Sequence, residues 1–91
     1  MKKATKASPL VPDRLSVDEQ SILHFAMRYA LGRATAAPTI VISRITLEWN
    51  RISTATRRQM QEEISEAIND GLAGHHCDVV RWQEILKLKI E

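Results

Sequence analysis

The stretch Phe25-Ala-Met-Arg-Tyr-Ala-Leu-Gly-Arg-Ala-Thr35 constrains the fold more than any other part of the chain. It carries apolar residues at helical spacing, then a glycine suited to stopping a helix, then a threonine suited to capping the next one. Two helices joined by so short a link must lie side by side, which points to an all-α packing.

Signals on either side extend this pattern. Ser16-Val-Asp-Glu19 has the form of a capping box, in which the hydroxyl accepts one free N–H and the carboxylate returns to the cap N–H. The first helix is therefore predicted to begin at Ser16 and to end with Gly32 in the left-handed conformation. Its predicted core face is Ile22, Phe25, Ala26, Tyr29 and Ala30, widened by Leu23, Met27 and Leu31. A second helix is expected from Thr35, with Pro38 in the first turn, where a missing N–H costs nothing. Ile40-Val-Ile42 read alone would suit a strand. However, Val41, Ile45, Trp49 and Ile52 follow a helical spacing, and a lone strand would lack a partner. The third helix is predicted from Ala55 to Leu72, capped by Ser53 or Thr54 and closed at Gly71 or Gly74, with Met60, Ile64, Ala67, Ile68 and Leu72 on one face. Asp78 is expected to cap a short fourth helix, whose stripe is Val79, Trp82, Ile85 and Leu86, with Lys89 continuing it.

The expected architecture is thus all-α, a compact bundle of about four short helices over residues 16–91. Residues 1–15 read as a flexible basic leader, because Ser8, Pro9 and Pro12 deny them a helical start. Leu10 and Val11 are the leader residues able to staple onto the domain.

The charge balance separates leader from domain. There are 13 basic and 11 acidic side chains, a net +2. Setting aside Lys2, Lys3 and Lys6 leaves 10 against 11, or −1. The basic character belongs to the leader, which argues against a folded domain with its own basic nucleic-acid face. The single cysteine, Cys77, permits no internal disulfide and suits a reducing compartment. Neither an apolar signal-peptide region nor a run long enough to span a bilayer is present. A cytoplasmic protein without membrane contact is expected.

Residues able to carry chemistry are sparse. His75-His76-Cys77-Asp78 contains four possible zinc ligands, but tetrahedral sites draw ligands from separated turns. A connecting loop ending in the Asp78 cap is the expected reading, with no metal and no cofactor. Cys77 has no positioned base, Ser43, Ser53 and Ser65 lie in no nucleophile elbow, and the glycines form no phosphate loop. No catalytic residue is assigned, and an enzyme is not expected.

Two charged groups remain as candidate binding surfaces. Glu62, Glu63, Glu66 and Asp70 form an acidic face on the third helix, either solvated or open to a basic partner. Arg28, Arg33, Arg44, Arg51, Arg57 and Arg58 cluster around the helix junctions and could take phosphate or an acidic protein surface. Arg57 and Arg58 fall in a first helical turn, where the dipole disfavours them. The ordinary explanation is pairing with Gln61, Glu62 or Glu48. A DNA-reading helix would present Thr54, Thr56, Arg57, Arg58 and Gln59, although the acids farther along would oppose phosphate.

Trp49 and Trp82 are expected in the core, one per helix. Arg28 is placed to cap a helix end, and Tyr29 to aim its hydroxyl at an opposing backbone group. If exposed, either becomes a hot-spot candidate. A self-associating subunit would use Trp82, Leu86, Leu88 and Ile90.

Arg28-Tyr-Ala-Leu-Gly-Arg33 with Thr35, the later Trp49, Glu63-Ile64, and Cys77-Asp78 followed by Trp82 and Ile85-Leu86 resemble a set of small proteins of phages, prophages and plasmids. These share R-Y-A-L-G-R-x-T and a terminal C-D-x-x-x-W-x-x-[IL]-L. The resemblance covers residues 24 to 86 and departs at Ala36-Ala37-Pro38, where bulkier residues are expected. It carries over no functional residue. It implies a small mobile-element protein, similar by class to anti-CRISPR proteins. Such a protein would bind a host protein or ribonucleoprotein defence complex and block a nucleic-acid path or nuclease recruitment, as a monomer or weak homodimer. The competing expectation is a small DNA-binding regulator of the mobile element.

Overall fold

The computed structural model describes residues 13–32, 38–71 and 76–90, with backbone only at 76–78. Among them, four α-helices follow in order: α1 (Val17–Gly32), α2 (Pro38–Glu48), α3 (Thr54–Asn69) and α4 (His76–Leu86). A 3₁₀ turn at Trp49–Arg51 extends α2. α1 packs on α2 and α3, and α4 packs on the same two helices, so α1 and α4 occupy opposite corners of the bundle.

The predicted capping box opens α1. The Ser16 N–H donates to Glu19 Oε1 at 3.0 Å and the Glu19 N–H to Ser16 Oγ at 3.0 Å. These bonds hold the Glu19 carboxyl below its ordinary value, the backbone N–H of Ser16 contributing most. At α3 the cap is Ser53, whose Oγ accepts from the Thr56 N–H. α3 stops at Asn69, and Gly71 then adopts φ 73°, a left-handed conformation that glycine enters without a Cβ clash.

Asp13 to Leu15, ahead of α1, are tied to the α2–α3 junction. The Leu15 N–H donates to the Arg51 carbonyl at 2.8 Å, Arg14 Nη1 to the Ile52 carbonyl at 2.9 Å, and Arg51 Nε to the Asp13 carbonyl at 2.9 Å. Leu15 itself is buried in the core. Leu10 and Val11 lie outside the described residues.

The core joins Met27, Ala30 and Leu31 of α1 to Ile42 and Ile45 of α2, Met60 and Ile64 of α3, and Trp82 and Ile85 of α4, with Trp49 and Ile52 from the junction. Burying each large side chain contributes about 1.5–3 kcal/mol. Both tryptophans are core residues, as expected. The C-terminal strap closes the end of the bundle. Gln61 Nε2 donates to the carbonyls of Ile85 (2.8 Å), which also accepts from the Leu88 N–H, and of Leu88 (2.9 Å), tying α3 to the end of α4 and the turn after it. Trp49 Nε1 donates to the Lys89 carbonyl at 2.9 Å.

Several details differ from the sequence expectation. α1 buries Gln20, Met27, Ala30 and Leu31, while Ile22, Phe25 and Tyr29 face outward. The helix is rotated because its polar residues Gln20 and His24 find partners on the α3 side. Gly32 does not take the left-handed conformation; among the described residues only Gly71 has positive φ. Asp78 lies inside the first turn of α4 instead of capping it, since the helix already begins at His76. A carboxylate is as compatible with the positive helix end there as at a cap. On α2, Ile42 is buried and Val41 only half-buried. The expected cap at Thr35 and the Ala36-Ala37 departure lie outside the described residues, as does Leu72. Trp82 is fully buried, and Leu86, Leu88 and Ile90 pack against the core, so the C-terminus does not offer the free apolar surface expected of a self-association site.

Candidate functional site

The acidic face divides in two. Glu62 and Glu66 are exposed one turn apart on the outer side of α3, and exposed Asp70 follows at its C-cap. Opposite them on the helix, Arg57, Met60 and Ile64 face the core. Among the described residues, no ion pair engages these three acids.

Glu63, one step around the helix, is turned toward α1. Arg28 grips it with two bonds, Nε to Oε1 at 3.0 Å and Nη2 to Oε2 at 2.9 Å. His24 Nε2 donates to Oε1 at 2.8 Å and Gln59 Nε2 to Oε2 at 3.2 Å. The Arg28 guanidinium, with His24, holds the Glu63 carboxyl below its ordinary value against the opposing effect of burial, and the bond raises Arg28 in turn. Glu63 is thus a clamp between α1 and α3, and Arg28 reaches across helices instead of capping its own.

The basic cluster is dispersed in the same way. Glu48, whose side chain is 13% exposed, holds Arg51 at 3.0 Å and Arg44 at 3.4 Å. Arg57 is buried, with its guanidinium carbon 5.9 Å from the centre of the Trp49 ring and Nη2 donating to Thr54 Oγ1 at 3.2 Å. Its Nε has no partner. The expected pairing of Arg57 with Gln61, Glu62 or Glu48 does not occur, because position 57 lies on the α3 core stripe. Arg58 is exposed on the first turns of α3, and Arg33 lies outside the described residues. A recognition helix using Arg57 and Gln59 would have to release one from the core and the other from Glu63.

Three structural residues carried weak sequence signals. Gln20 is buried between two backbone groups, its Nε2 donating to the Leu15 carbonyl at 2.8 Å and its Oε1 accepting from the Ser53 N–H at 3.0 Å. Gln61 and Arg57 are legible only by extending the Met60–Ile64 stripe and its flank backwards and sideways. Between α1 and the start of α3, a cleft of about 210 Å³ is lined by Val17, Gln20, Ser21, His24, Ser53 and Thr56. Its hydroxyls include the α3 cap, with Ser53 Oγ donating to Thr56 Oγ1 at 2.9 Å. The His24 Nε2 is committed to Glu63, so the cleft is built around interhelix bonds.

No group of three or more His, Cys, Asp or Glu side chains that could hold a metal ion occurs among the described residues. His75 and the side chains of His76, Cys77 and Asp78 lie outside them. Among the described residues, no helix is long and apolar enough to cross a membrane. Large apolar side chains are exposed on α1, where Ile22, Phe25 and Tyr29 are 69%, 67% and 51% exposed, and on α2, where Ile40 and Leu47 are 71% and 78% exposed. No protein-family model, curated protein or solved structure matches this chain.

Proposed function

We propose that this is a non-enzymatic mobile-element protein that acts in the host cytoplasm by docking on a defence complex, in the manner of anti-CRISPR proteins. The acidic outer stripe of α3 occupies a basic surface that would otherwise receive nucleic acid or recruit a nuclease. The observation supporting this reading is the contrast between Glu62, Glu66 and Asp70, which no ion pair among the described residues engages, and Arg28, Arg44, Arg51 and Arg57, which are bound to Glu48 and Glu63 or buried. Acids spaced by one helical turn rise about 6 Å each. Along one DNA strand phosphates rise about 3.4 Å each, so every second phosphate lies about 7 Å along the axis. A rigid helix carrying charge at that interval complements an arginine- or lysine-lined channel and steers toward it.

Tagged protein is the bait in a pull-down from host lysate, with and without nuclease. A discrete protein complex that survives nuclease is expected, together with its loss from the Glu62→Lys/Glu66→Lys/Asp70→Lys variant. Equal capture by that variant overturns phosphate mimicry. Capture that disappears with nuclease favours the competing DNA-binding regulator, for which exposed Arg58 and the leader lysines would supply the contacts, with steep salt dependence.

A further inference from the structure

We propose that the first turn of α3 is a site for a phosphate monoester, with buried Arg57 and exposed Arg14 and Arg58 around the positive end of the helix. This goes beyond the docking reading above and makes no use of the acidic stripe. The arginines divide by partner. Among the described residues, Arg28, Arg44 and Arg51 are ion-paired, whereas Arg14, Arg57, Arg58 and Arg81 are not. Arg81 lies on α4, and the other three flank the start of α3. Arg14 Nη1 is 2.9 Å from the Ile52 carbonyl, one residue ahead of the Ser53 cap. Arg57 and Arg58 are the fourth and fifth residues of the helix.

Arg57 is the residue that points to a ligand. It is 7% exposed, and no carboxylate among the described residues pairs with it. Buried guanidinium groups are ordinarily matched by an anion, because taking the charge out of water is costly. The Trp49 ring, 5.9 Å away, offsets part of that cost but offers no acceptor. Nε has no partner, and Nη2 donates to Thr54 Oγ1 at 3.2 Å. Nε and Nη2 form one edge of the planar fork, the edge with which Arg28 grips the Glu63 carboxylate. In Arg57 that edge is laid toward Thr54, the first residue of α3.

The helix adds charge of its own. Its first N–H groups have no intrahelical acceptor, and Ser53 Oγ takes that of Thr56. Aligned peptide dipoles place about half a positive charge at this end. The nearby acids do not cancel it: Glu48 is taken by Arg44 and Arg51, and neither Asp13 nor Glu62 forms an ion pair among the described residues. Three guanidinium groups exceed the single charge of a carboxylate or a phosphodiester. A phosphate monoester carries about −1.5 to −2 at neutral pH, with three acceptor oxygens, and matches them better.

NMR shifts of the Thr54, Ala55 and Thr56 amides and of the Arg57 Nε–H are followed as inorganic phosphate replaces chloride at fixed ionic strength. Saturable shifts are expected, with a dissociation constant of about 1 mM or below. Arg57→Met and Arg58→Ala should each raise that constant at least about threefold in a folded protein, and Arg81→Ala should leave it unchanged. An oligothymidine with a 5′-phosphate, beside the same oligomer with a 5′-hydroxyl, distinguishes the source of the phosphate. Tighter binding of the phosphorylated oligomer than of inorganic phosphate assigns the site to a nucleic-acid end, and the reverse order assigns it to a small phosphorylated molecule. The proposal is overturned by the absence of saturable shifts, by an equal response to acetate, by unchanged affinity in both Arg57→Met and Arg58→Ala, or by a 5′-hydroxyl oligomer bound at this turn as tightly as the phosphorylated one.

Discussion

Replacing Glu63 with alanine is expected to destabilise the protein by about 2 kcal/mol, whereas the same change at Glu62 should leave stability within about 0.5 kcal/mol. The two acids are adjacent on one helix, and glutamate and alanine differ little in helix propensity, so the comparison isolates what each carboxylate touches. Glu62 is exposed, without an ion pair among the described residues. Glu63 accepts from Arg28, His24 and Gln59. The Arg28 side chain is 53% exposed, so solvent and salt screen that arm, and it contributes less than about 1 kcal/mol. The His24 side chain is only 12% exposed. Leaving its N–H without an acceptor costs a further 1–2 kcal/mol or so. Urea unfolding followed by helical circular dichroism measures the difference directly. At about 4–8 °C per kcal/mol for a domain of this size, the Glu63→Ala melting temperature should fall by roughly 8–16 °C. Acidity supplies an independent check. Because the Glu63 carboxyl is held below its ordinary value, its contribution is complete above the unfolded carboxyl's pKa. It is lost as pH falls through the folded one. The gap between wild type and Glu63→Ala should therefore narrow below the usual glutamate range. Equal destabilisation by the two variants, or a gap that widens on acidification, would refute the assignment of Glu63 as the α1–α3 clamp.

The glycines and the buried arginine give further tests. Gly32→Ala should stabilise by about 0.5–1 kcal/mol, since the residue is helical and a Cβ there meets nothing within 4 Å, whereas Gly71→Ala at φ 73° should cost about 1–2 kcal/mol; thermal melts distinguish the two signs. Arg57→Met should leave stability unchanged or raise it by about 1 kcal/mol, because Met retains the packing and removes a buried cation whose Nε is unpartnered; Arg57→Ala should cost about 2–3 kcal/mol through the lost packing, both read by urea unfolding.

How much of this was legible in the sequence depends on whether a residue's fate was set locally or by a distant partner. The Ser16–Glu19 box and the Trp82–Ile85 stripe are local and found where the pattern placed them, and the structure takes Ser53 over Thr54 as the α3 cap and Gly71 as the left-handed residue after it. The orientation of α1 was not local. The helix has apolar residues on two sides, Ile22-Phe25-Tyr29 and Leu23-Met27-Ala30, and hydrophobicity favours the aromatic side. The other side wins because it also carries Gln20 and His24. Gln20 fills two backbone groups that the 13–15 strap and the α3 cap would otherwise leave unpaired, and His24 reaches Glu63.

The same logic divides the charged candidates. Glu63 and Glu62 are indistinguishable as letters, yet a rotation of one residue turns the first toward Arg28 and the second to solvent. Arg57 reads as a surface cation from its charge and as a core residue from its position three before Met60. The position prevails because Trp49 provides an aromatic face for the guanidinium. Once these internal partners are assigned, the acids Glu62, Glu66 and Asp70 remain exposed without an ion pair among the described residues, and apolar side chains remain exposed on α1, at Ile22 and Phe25, and on α2, at Ile40 and Leu47. Exposing either brings no stability to an isolated domain. An apolar stripe risks nonspecific association, and like charges a turn apart on a helix repel. Because the acids and the exposed apolar side chains lie on different helices, point mutations can test separately whether either meets a partner.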